Sequence, residues 1–283
     1  MIVWLASYPK SGNTWVRSFL SSLMDREDGL ANLNSMSIPQ YPLRAHFRGL
    51  VNEFDNIKLL SKKWISSQDF LNLDNKIKFF KTHHVMCNFG KNSFTNYENT
   101  FGVIYIVRDP RNVITSILNY YSKKNYEEAK EFLFDEGRII GVDLSKKYEY
   151  ENDNNIITLI SSWKNHYNSW KKLKVNYLLI KYENLLKKPL EEFTKIVNFL
   201  NLYSELNIKK ENMEDCIKNC DFLKLQSQEK RNGFRESPVD KFGNSIKFFN
   251  LGNKNNWKQL AETEIAAKLE ENFKDEMKEL GYL

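Results

Sequence analysis

The sequence of 283 residues has few cysteines, few prolines and no long apolar run. Three cysteines, Cys87, Cys216 and Cys220, are too few for a disulfide framework. Cys216 and Cys220 lie one helical turn apart, but no histidine or third cysteine lies near them, so we expect ordinary helix residues in a reducing compartment. No stretch approaches the ~20 apolar residues of a membrane span, and no basic segment or cleavage site precedes the first apolar run. We therefore predict a cytoplasmic protein without a transmembrane segment.

Charge and metal-ligand patterns are also limited. The net charge of +6 suits an anionic ligand but does not by itself indicate nucleic acid, and we predict no nucleic-acid partner. Four histidines show no metal-ligand spacing, so no metal site is predicted. The chain is 41% hydrophobic, enough to bury a core. It contains no internal repeat and no proline- or serine-rich linker, so we predict a single domain over residues 1–283.

Short apolar runs alternate with helical patterns along the chain. The runs predict strands at residues 2–7, 78–82, 102–107 and 176–181, and helical patterns lie at 14–24, 110–121, 156–172 and 190–200. This alternation predicts a doubly wound α/β fold, with a mainly parallel sheet of four to five strands flanked by helices. Ligands of such sheets bind at the carboxyl ends of the strands. Irregular stretches at 32–56, 126–155 and 226–256 are long enough to be binding loops.

The loop at residues 8–15, YPKSGNTW, follows the first strand and leads into a helix. This P-loop-like order places Lys10, two hydroxyls and several backbone N–H groups at a helix N-terminus, which is a ready anion site. The sequence differs from GxxxxGK[ST], because Lys10 precedes Ser11 and Gly12. A loop this short wraps one phosphate and leaves less room for a triphosphate tail.

Two further signals follow at strand ends. Arg108 closes a strand and Ser116 lies two turns into the next helix, so both can point at one anion. Lys81 and His83, two residues apart, share a face at another strand end, where a histidine is a candidate general base. Taken singly, the loop can be a plain turn, Arg108 can form a structural ion pair with Asp109 or a nearby acid, and His83 can be a satisfied strand-end histidine. Their common order along the chain favours a phosphate-binding active site.

The motifs YPKSGNTW, KTHH and YIVRDPRNVITS, in this order, resemble the sulfotransferase family that uses PAPS, 3′-phosphoadenosine 5′-phosphosulfate. The resemblance runs from Ile2 to about Gln259, and its pattern is closest to that of bacterial members. It implies transfer of the sulfuryl group from PAPS to a hydroxyl or amine, with PAP as product and no metal required. The acceptor, an alcohol, phenol, sugar, lipid or amine, is not specified.

The resemblance also implies roles for individual residues. His83 is the expected general base, and Lys10 and Lys81 are expected to neutralise charge on the transferring group. Arg108 and Ser116 are expected at the 3′-phosphate. The expected contacts to the 5′-phosphosulfate are Lys10, Ser11, Gly12, Asn13 and Thr14. Trp15 is expected near the adenine and Tyr182 at the same base. Gly252 and Lys254 complete the expected nucleotide contacts.

The match departs from the family pattern in residues 226–256, which we call the late loop. Asn250 stands where an arginine to the 3′-phosphate is expected. Basic residues of the same loop are candidates to replace it, without a ranking among them: Lys254, Lys247, Lys241, Arg235 and Arg231. A dimerisation stretch known from animal members is missing, so no oligomeric state is predicted. His84 is either a substrate contact or a bystander.

Two other functions share the strand–loop–helix phosphate site. One is a P-loop nucleotide or small-molecule kinase, and the other is a catalytically silent nucleotide-binding protein of the same fold. The acceptor pocket is expected from residues 39–54, 84–94, 126–150 and 239–248. Trp163, His166 and Trp170 share one helical face, which indicates core packing or a pocket lining.

Overall fold

The computed structural model describes residues 1–25, 31–141, 156–203, 206, 208, 210–240 and 242–283. Its residues cluster into two compact units, each built from three stretches of chain. The first unit is Met1–Tyr8, Pro39–Tyr105 and Asp135–Leu179, and the second is Pro9–Ile38, Ile106–Phe134 and Ile180–Leu283. The single domain over residues 1–283 stays a prediction.

The main sheet has four strands and is mainly parallel, as predicted. The strands of the chain are β1 (Ile2–Ser7), β2 (Lys78–Thr82), β3 (Asn88–Phe89), β4 (Asn92–Ser93), β5 (Thr100–Val107), β6 (Ile139–Ile140), β7 (Thr158–Leu159) and β8 (Asn176–Lys181). The main sheet has the order β2-β1-β5-β8, and β1 runs parallel to β2. The pairs β3–β4 and β6–β7 are short and antiparallel.

Strand β1 lies at the centre of the first unit because all six of its side chains are buried. Trp4 packs among the rings of Tyr41, Phe80, Phe94 and Trp170, with centroids 5.3–6.1 Å away. Such aromatic clusters supply much of the apolar burial that stabilises a core. A continuous apolar run, typical of a strand covered on both faces, therefore marks the middle of the sheet.

The structure has a helix at each of the four predicted positions, and most of the predicted bounds are close to the observed ones. They are α1 (Asn13–Asp25), α2 (Ile57–Ser61), α3 (Trp64–Asn72), α4 (Pro110–Tyr120), α5 (Tyr126–Phe134), α6 (Trp163–Trp170), α7 (Tyr182–Lys187), α8 (Pro189–Leu200), α9 (Met213–Asn219), α10 (Phe222–Asn232), α11 (Trp257–Leu260), α12 (Thr263–Asn272) and α13 (Lys274–Glu279). No helix in the described part of the chain is long and apolar enough to cross a bilayer.

Three predicted boundaries were wrong, and one of them is that of the stretch predicted as irregular from residue 226, because helix α10 continues to Asn232. The helix predicted to begin at residue 156 begins at Trp163, because Thr158 and Leu159 form β7 and Ser161 has a φ of +60°. The hydroxyl of Ser162 then caps α6 by accepting a hydrogen bond from the Asn165 N–H. The stretch predicted as irregular from residue 126 starts with helix α5, and its residues 142–155 lie outside the described part of the chain.

Three histidines of the first unit are held in a neutral form by burial. Burial lowers the pKa of His46 to about 4, that of His84 to about 3 and that of His166 to about 3. A buried imidazole resists protonation because a charge inside the protein loses the hydration that it has in water. The unfolded chain therefore binds protons at these positions at a higher pH than the folded chain does.

We expect the free energy of unfolding to decrease as the pH falls from about 6.5 towards 4, since protons then bind the unfolded histidines first. Each such histidine contributes a slope of up to about 1.4 kcal/mol per pH unit. Urea unfolding followed across this range measures the slope. The variant His84→Gln, which keeps a polar side chain but does not titrate, should show a shallower slope. Identical slopes for the two proteins would contradict the assignment.

Candidate active site

The loop between β1 and α1 holds a strained backbone. Lys10 has a φ of +67° and Gly12 a φ of +101°, both in the left-handed region. The Trp15 N–H donates to the Gly12 carbonyl over 3.1 Å, which begins the helix immediately after the loop. Ser11, Asn13 and Thr14 are buried there. The first N–H groups of a helix such as α1 have no acceptor within the helix, and helix N-termini commonly bind anions for this reason.

Gly12 lies directly against the ring of Tyr182. A Cβ atom at Gly12 would come 2.4 Å from Tyr182 Cδ2, which only a glycine avoids. The same ring lies 4.4 Å from the Arg108 guanidinium and 6.1 Å from the Trp15 ring, measured to the centroids. The structure thus brings the predicted residues Gly12, Trp15, Arg108 and Tyr182 into one cluster within the second unit.

Arg108 is a buried cation without a carboxylate partner in the described part of the chain. Its Nη1 donates to the Lys10 carbonyl at 3.1 Å and to Ser116 Oγ at 3.3 Å, and its Nε has no partner among the described residues. Asp109 pairs instead with Arg111, at 2.7 Å, so the alternative of an Arg108–Asp109 pair was wrong. A buried charge without a counter-ion is costly. The arrangement therefore favours an external anion at Arg108.

Asn255 adds a contact that the sequence did not predict. Its Nδ2 donates to Ser116 Oγ and to the Asn112 carbonyl, each at 3.0 Å, and its Oδ1 accepts from the Thr115 hydroxyl. Ser116 Oγ therefore accepts from both Arg108 and Asn255, while its own hydroxyl donates to the Asn112 carbonyl over 3.5 Å. No local signal marked Asn255, because it lies far along the chain from Ser116.

Lys10 Nζ lies against two aromatic rings, 4.0 Å from the Tyr120 centroid and 3.6 Å from the Phe248 centroid. Such cation–π contacts orient an ammonium group. The main chain at Phe248 is fixed in turn, since the Glu229 carboxylate accepts from the Phe248 N–H at 2.6 Å and from the Phe249 N–H at 2.9 Å. Phe248 of the late loop thus forms one side of the site that holds the Lys10 ammonium.

The other basic candidates of the late loop lie at the surface. Asn250 is exposed, and so are the four described residues that were candidates to replace the missing arginine: Lys254, Lys247, Arg235 and Arg231. Lys241 lies outside the described residues. Gly252 has a φ of +54° and packs against the Phe222 ring, where a Cβ would come within 2.6 Å. The nucleotide contacts of Gly252 and Lys254 stay predictions.

His83 belongs to the first unit, at the end of β2. Its Nδ1 lies 2.7 Å from the Ser7 carbonyl and 3.3 Å from Ser7 Oγ. Because a carbonyl only accepts, Nδ1 carries a proton in this contact, and in the neutral form of the ring the lone pair is therefore on Nε2. Lys81 is 6% exposed, and its main chain bonds to Pro39 and Tyr41. This tautomer of His83 is the one that a general base needs.

His84 lies in the core and not at a surface. Its ring stacks on Phe94, with centroids 3.9 Å apart, and its Nδ1 lies 2.7 Å from the Val85 carbonyl. His84 is fully buried, so of the two alternatives the structure favours a packing residue. Among the described residues, no group of three or more histidines, cysteines or carboxylates is arranged to hold a metal ion.

A family model described as "Sulfotransferase domain" matches residues 2–281. The chain belongs to the sulfotransferase domain family. This membership confirms the family predicted from the three motifs and decides against the kinase alternative. The likeness to bacterial members in particular stays a prediction.

Characterised relatives of this sulfotransferase-family chain include plant enzymes. Flavonol 3-sulfotransferase of Flaveria bidentis is 25% identical over 279 residues, which cover 95% of this chain and 79% of that protein. Cytosolic sulfotransferase 16 of Arabidopsis thaliana is 24% identical over 286 residues, covering 99% of this chain and 77% of the relative.

Solved structures share the fold of this sulfotransferase-family chain. Mouse sulfotransferase SULT7A1 complexed with PAP has a TM-score of 0.53 and 18% identity, and the match covers 98% of this chain and 84% of that one. Retinol dehydratase in a complex with retinol and PAP has a TM-score of 0.60 and 18% identity, covering 98% and 81%. At this identity the likeness concerns the fold, and it confirms the predicted α/β architecture.

We expect Gly12→Ala to lower the free energy of unfolding by about 2–4 kcal/mol, because it adds a clash with Tyr182 to a strained φ. Gly243→Ala is the matched control, since Gly243 has a φ of +86° but no atom within 4 Å of an added Cβ. The control should lose about 1–2 kcal/mol, the strain alone. Chemical unfolding of both variants measures the difference. If both variants lost the same free energy of unfolding, the contact with Tyr182 would contribute nothing to the effect of Gly12→Ala.

Proposed function

We propose that this protein transfers the sulfuryl group from PAPS to a hydroxyl or amine of a small-molecule acceptor and releases PAP. The observation that carries the proposal is the family match over residues 2–281. Two structural relatives of the same fold hold PAP, which supports the choice of nucleotide. A catalytically silent protein of the same fold is the alternative, and a turnover assay with labelled PAPS decides between them.

The polar atoms of the loop suit an anionic nucleotide. Ser11 Oγ, Trp15 Nε1 and Arg108 Nε are buried and lack a hydrogen-bond partner among the described residues. Buried donors are nearly always paired in folded proteins, so several unpaired donors in one cluster indicate a ligand. Lys10 and the N–H groups of Ser11–Thr14 are assigned to the 5′-phosphosulfate, with Trp15 and Tyr182 at the adenine.

The 3′-phosphate is assigned to Arg108 and Ser116, with Asn255 as the neighbour that compensates for the missing arginine. Asn250 is exposed, whereas Asn255 holds Ser116 Oγ at 3.0 Å. In this arrangement the Arg108 guanidinium supplies the positive charge, and the Ser116 hydroxyl supplies a second hydrogen-bond donor. Charge-assisted hydrogen bonds from arginine to phosphate are among the strongest polar contacts in proteins.

The transfer step needs a base, charge neutralisation and positioning. His83 Nε2 accepts the proton of the acceptor while the acceptor's oxygen or nitrogen forms a bond to sulfur. The bond between sulfur and the bridging oxygen of the phosphate breaks, and PAP leaves with both electrons of that bond. Lys10 and Lys81 stabilise the negative charge that grows on the leaving phosphate. Positioned donors of this kind contribute a factor of roughly 10²–10³ in rate.

A small-molecule acceptor is supported by the relatives that are named for a flavonol and for retinol. We propose that the acceptor of this chain is a phenol, alcohol, sugar, lipid or amine. A cytoplasmic location is supported by a relative named as a cytosolic sulfotransferase.

Replacing Asn255 by Asp tests the assignment of the 3′-phosphate. The variant keeps the shape of the side chain but places a negative charge beside Ser116, so PAP affinity should fall about 10- to 100-fold. Affinity for adenosine 5′-phosphate, which lacks the 3′ group, should change less than about threefold. Calorimetry measures both ligands.

Asn253→Asp is the matched control for Asn255→Asp, because Asn253 is exposed and lies only two residues away. It adds the same charge to the same loop, and its effect on PAP should stay below about threefold, because solvent screens an exposed charge. If Asn255→Asp weakens both nucleotides equally, the 3′-phosphate does not lie near Asn255.

The base role of His83 is tested by His83→Gln. We expect kcat with labelled PAPS to fall by about 10²–10⁴-fold, the usual contribution of a general base. Affinity for PAP should change less than about threefold, because the base acts on the acceptor and not on the nucleotide. Calorimetry with PAP serves as the control for folding. Turnover close to that of the wild type would remove His83 from this role.

A further inference from the structure

Helix α6 holds the main chain that follows β2 by side-chain hydrogen bonds to consecutive carbonyls. His166 Nε2 lies 3.1 Å from the His83 carbonyl, and Trp170 Nε1 donates to the His84 carbonyl over 3.0 Å. These two side chains lie one helical turn apart, on the face that the sequence marked as aromatic. Both rings are buried. The contacts are therefore shielded from competing water.

A third contact completes the attachment of this segment. The Met86 N–H donates to Ser169 Oγ over 3.1 Å, and the Ser169 hydroxyl donates in turn to the His166 carbonyl over 2.7 Å. All of these residues belong to the first unit. Helix α6 thus fixes the chain at residues 83, 84 and 86.

The protonation state of His166 follows from its two partners. The Tyr105 hydroxyl lies 2.7 Å from His166 Nδ1, while the His83 carbonyl faces Nε2. Since the carbonyl only accepts, Nε2 carries the proton and Nδ1 accepts from the tyrosine. Burial lowers the pKa of His166 to about 3 and raises the pKa of Tyr105 well above its usual value. Near neutral pH the imidazole is therefore uncharged and Tyr105 remains a donor.

His83 is thereby held at both ends. Its ring is fixed through Nδ1 by the Ser7 carbonyl at 2.7 Å, and its main chain is fixed through its carbonyl by His166. The direction of Nε2 depends on both anchors. In enzymes, displacing a reacting group by about 1 Å costs on the order of 10²-fold in rate.

We propose that His166, kept in the Nε2–H tautomer by the carbonyl acceptor that it holds, is a positioning residue for the general base His83. The inference rests on the proposed function, because it concerns the direction of the base in that reaction. His166 touches no reacting atom in this role. It sets where His83 Nε2 points, and Tyr105 donates to the other ring nitrogen of His166.

The test compares variants at His166 by their kcat for labelled PAPS. His166→Leu removes the donor to the His83 carbonyl, so kcat should fall about 10- to 100-fold. The Kd for PAP and the KM for the acceptor should change less than about threefold, because binding groups are untouched. His166→Gln returns an N–H donor near the position of Nε2 and should recover most of the lost kcat. Failure of the glutamine to recover kcat, or an unchanged kcat in His166→Leu, would overturn the inference.

Trp170→Phe is the matched control, since it removes the donor to the neighbouring His84 carbonyl. Its kcat should stay within about threefold of the wild type if the effect is specific to the base. An equal loss of kcat in Trp170→Phe and His166→Leu would show only that the segment was loosened, and would overturn a specific role for His166. Bound PAP, measured by calorimetry, confirms that each variant is folded.

Tyr105→Phe gives a readout that is independent of activity. Long-range ¹H–¹⁵N NMR of the histidine rings should report the Nε2–H tautomer of His166 in the wild type and also in Tyr105→Phe, because the His83 carbonyl accepts from Nε2 in both proteins. An Nδ1–H tautomer in the wild type would overturn the inference, whatever the kinetics. If the wild-type protein does not turn over PAPS, the proposed function fails and this inference fails with it. If the wild type is active and His83→Gln is inactive, the result for His166→Leu decides the inference alone.

Discussion

The hydrogen bond from the Arg108 guanidinium to the Lys10 carbonyl is the contact on which the arrangement of the second unit depends. It ties the strained loop after β1 to the start of α4, and it leaves a buried positive charge whose remaining partners are a hydroxyl and a ring. Because Asp109 is already paired with Arg111, that charge is not neutralised from the neighbouring position. The guanidinium thereby contacts the main chain of the loop, the ring of Tyr182 that lies against Gly12, and the hydroxyl of Ser116.

The first unit uses a different means of holding a reactive side chain. His83 is held through two main-chain carbonyls, its own and that of Ser7. The polar rings of α6 supply the donors, and burial keeps them neutral. Around Arg108 a single charged group is held by neutral partners, whereas the histidine rings of α6 and its neighbours are themselves neutral. This difference suits the proposed roles of the two groups, an anion contact at Arg108 and proton transfer at His83.

Much of the sheet was predictable, since β1, β2 and β8 have the predicted bounds. The clearest case is β1, whose six buried side chains form the continuous apolar run that is typical of a strand covered on both faces. The meeting of Arg108 with Ser116 was predictable too, since it needs only a strand end and two turns of helix. Asn255 was not, because its contact with Ser116 spans 139 positions and depends on how the late loop folds. The start of α6 was missed because apolar periodicity does not register a turn such as the one at Ser161.

The two rings around Lys10 determine what an arriving anion meets. Tyr120 and Phe248 orient the ammonium through the quadrupoles of their π-systems, which carry no net charge. A carboxylate in their place would orient the lysine equally well, but it would cancel the positive potential and repel a phosphate. The two aromatic rings therefore hold the Lys10 ammonium in place without adding a negative charge of their own. They leave the attraction of the ammonium for an anion undiminished.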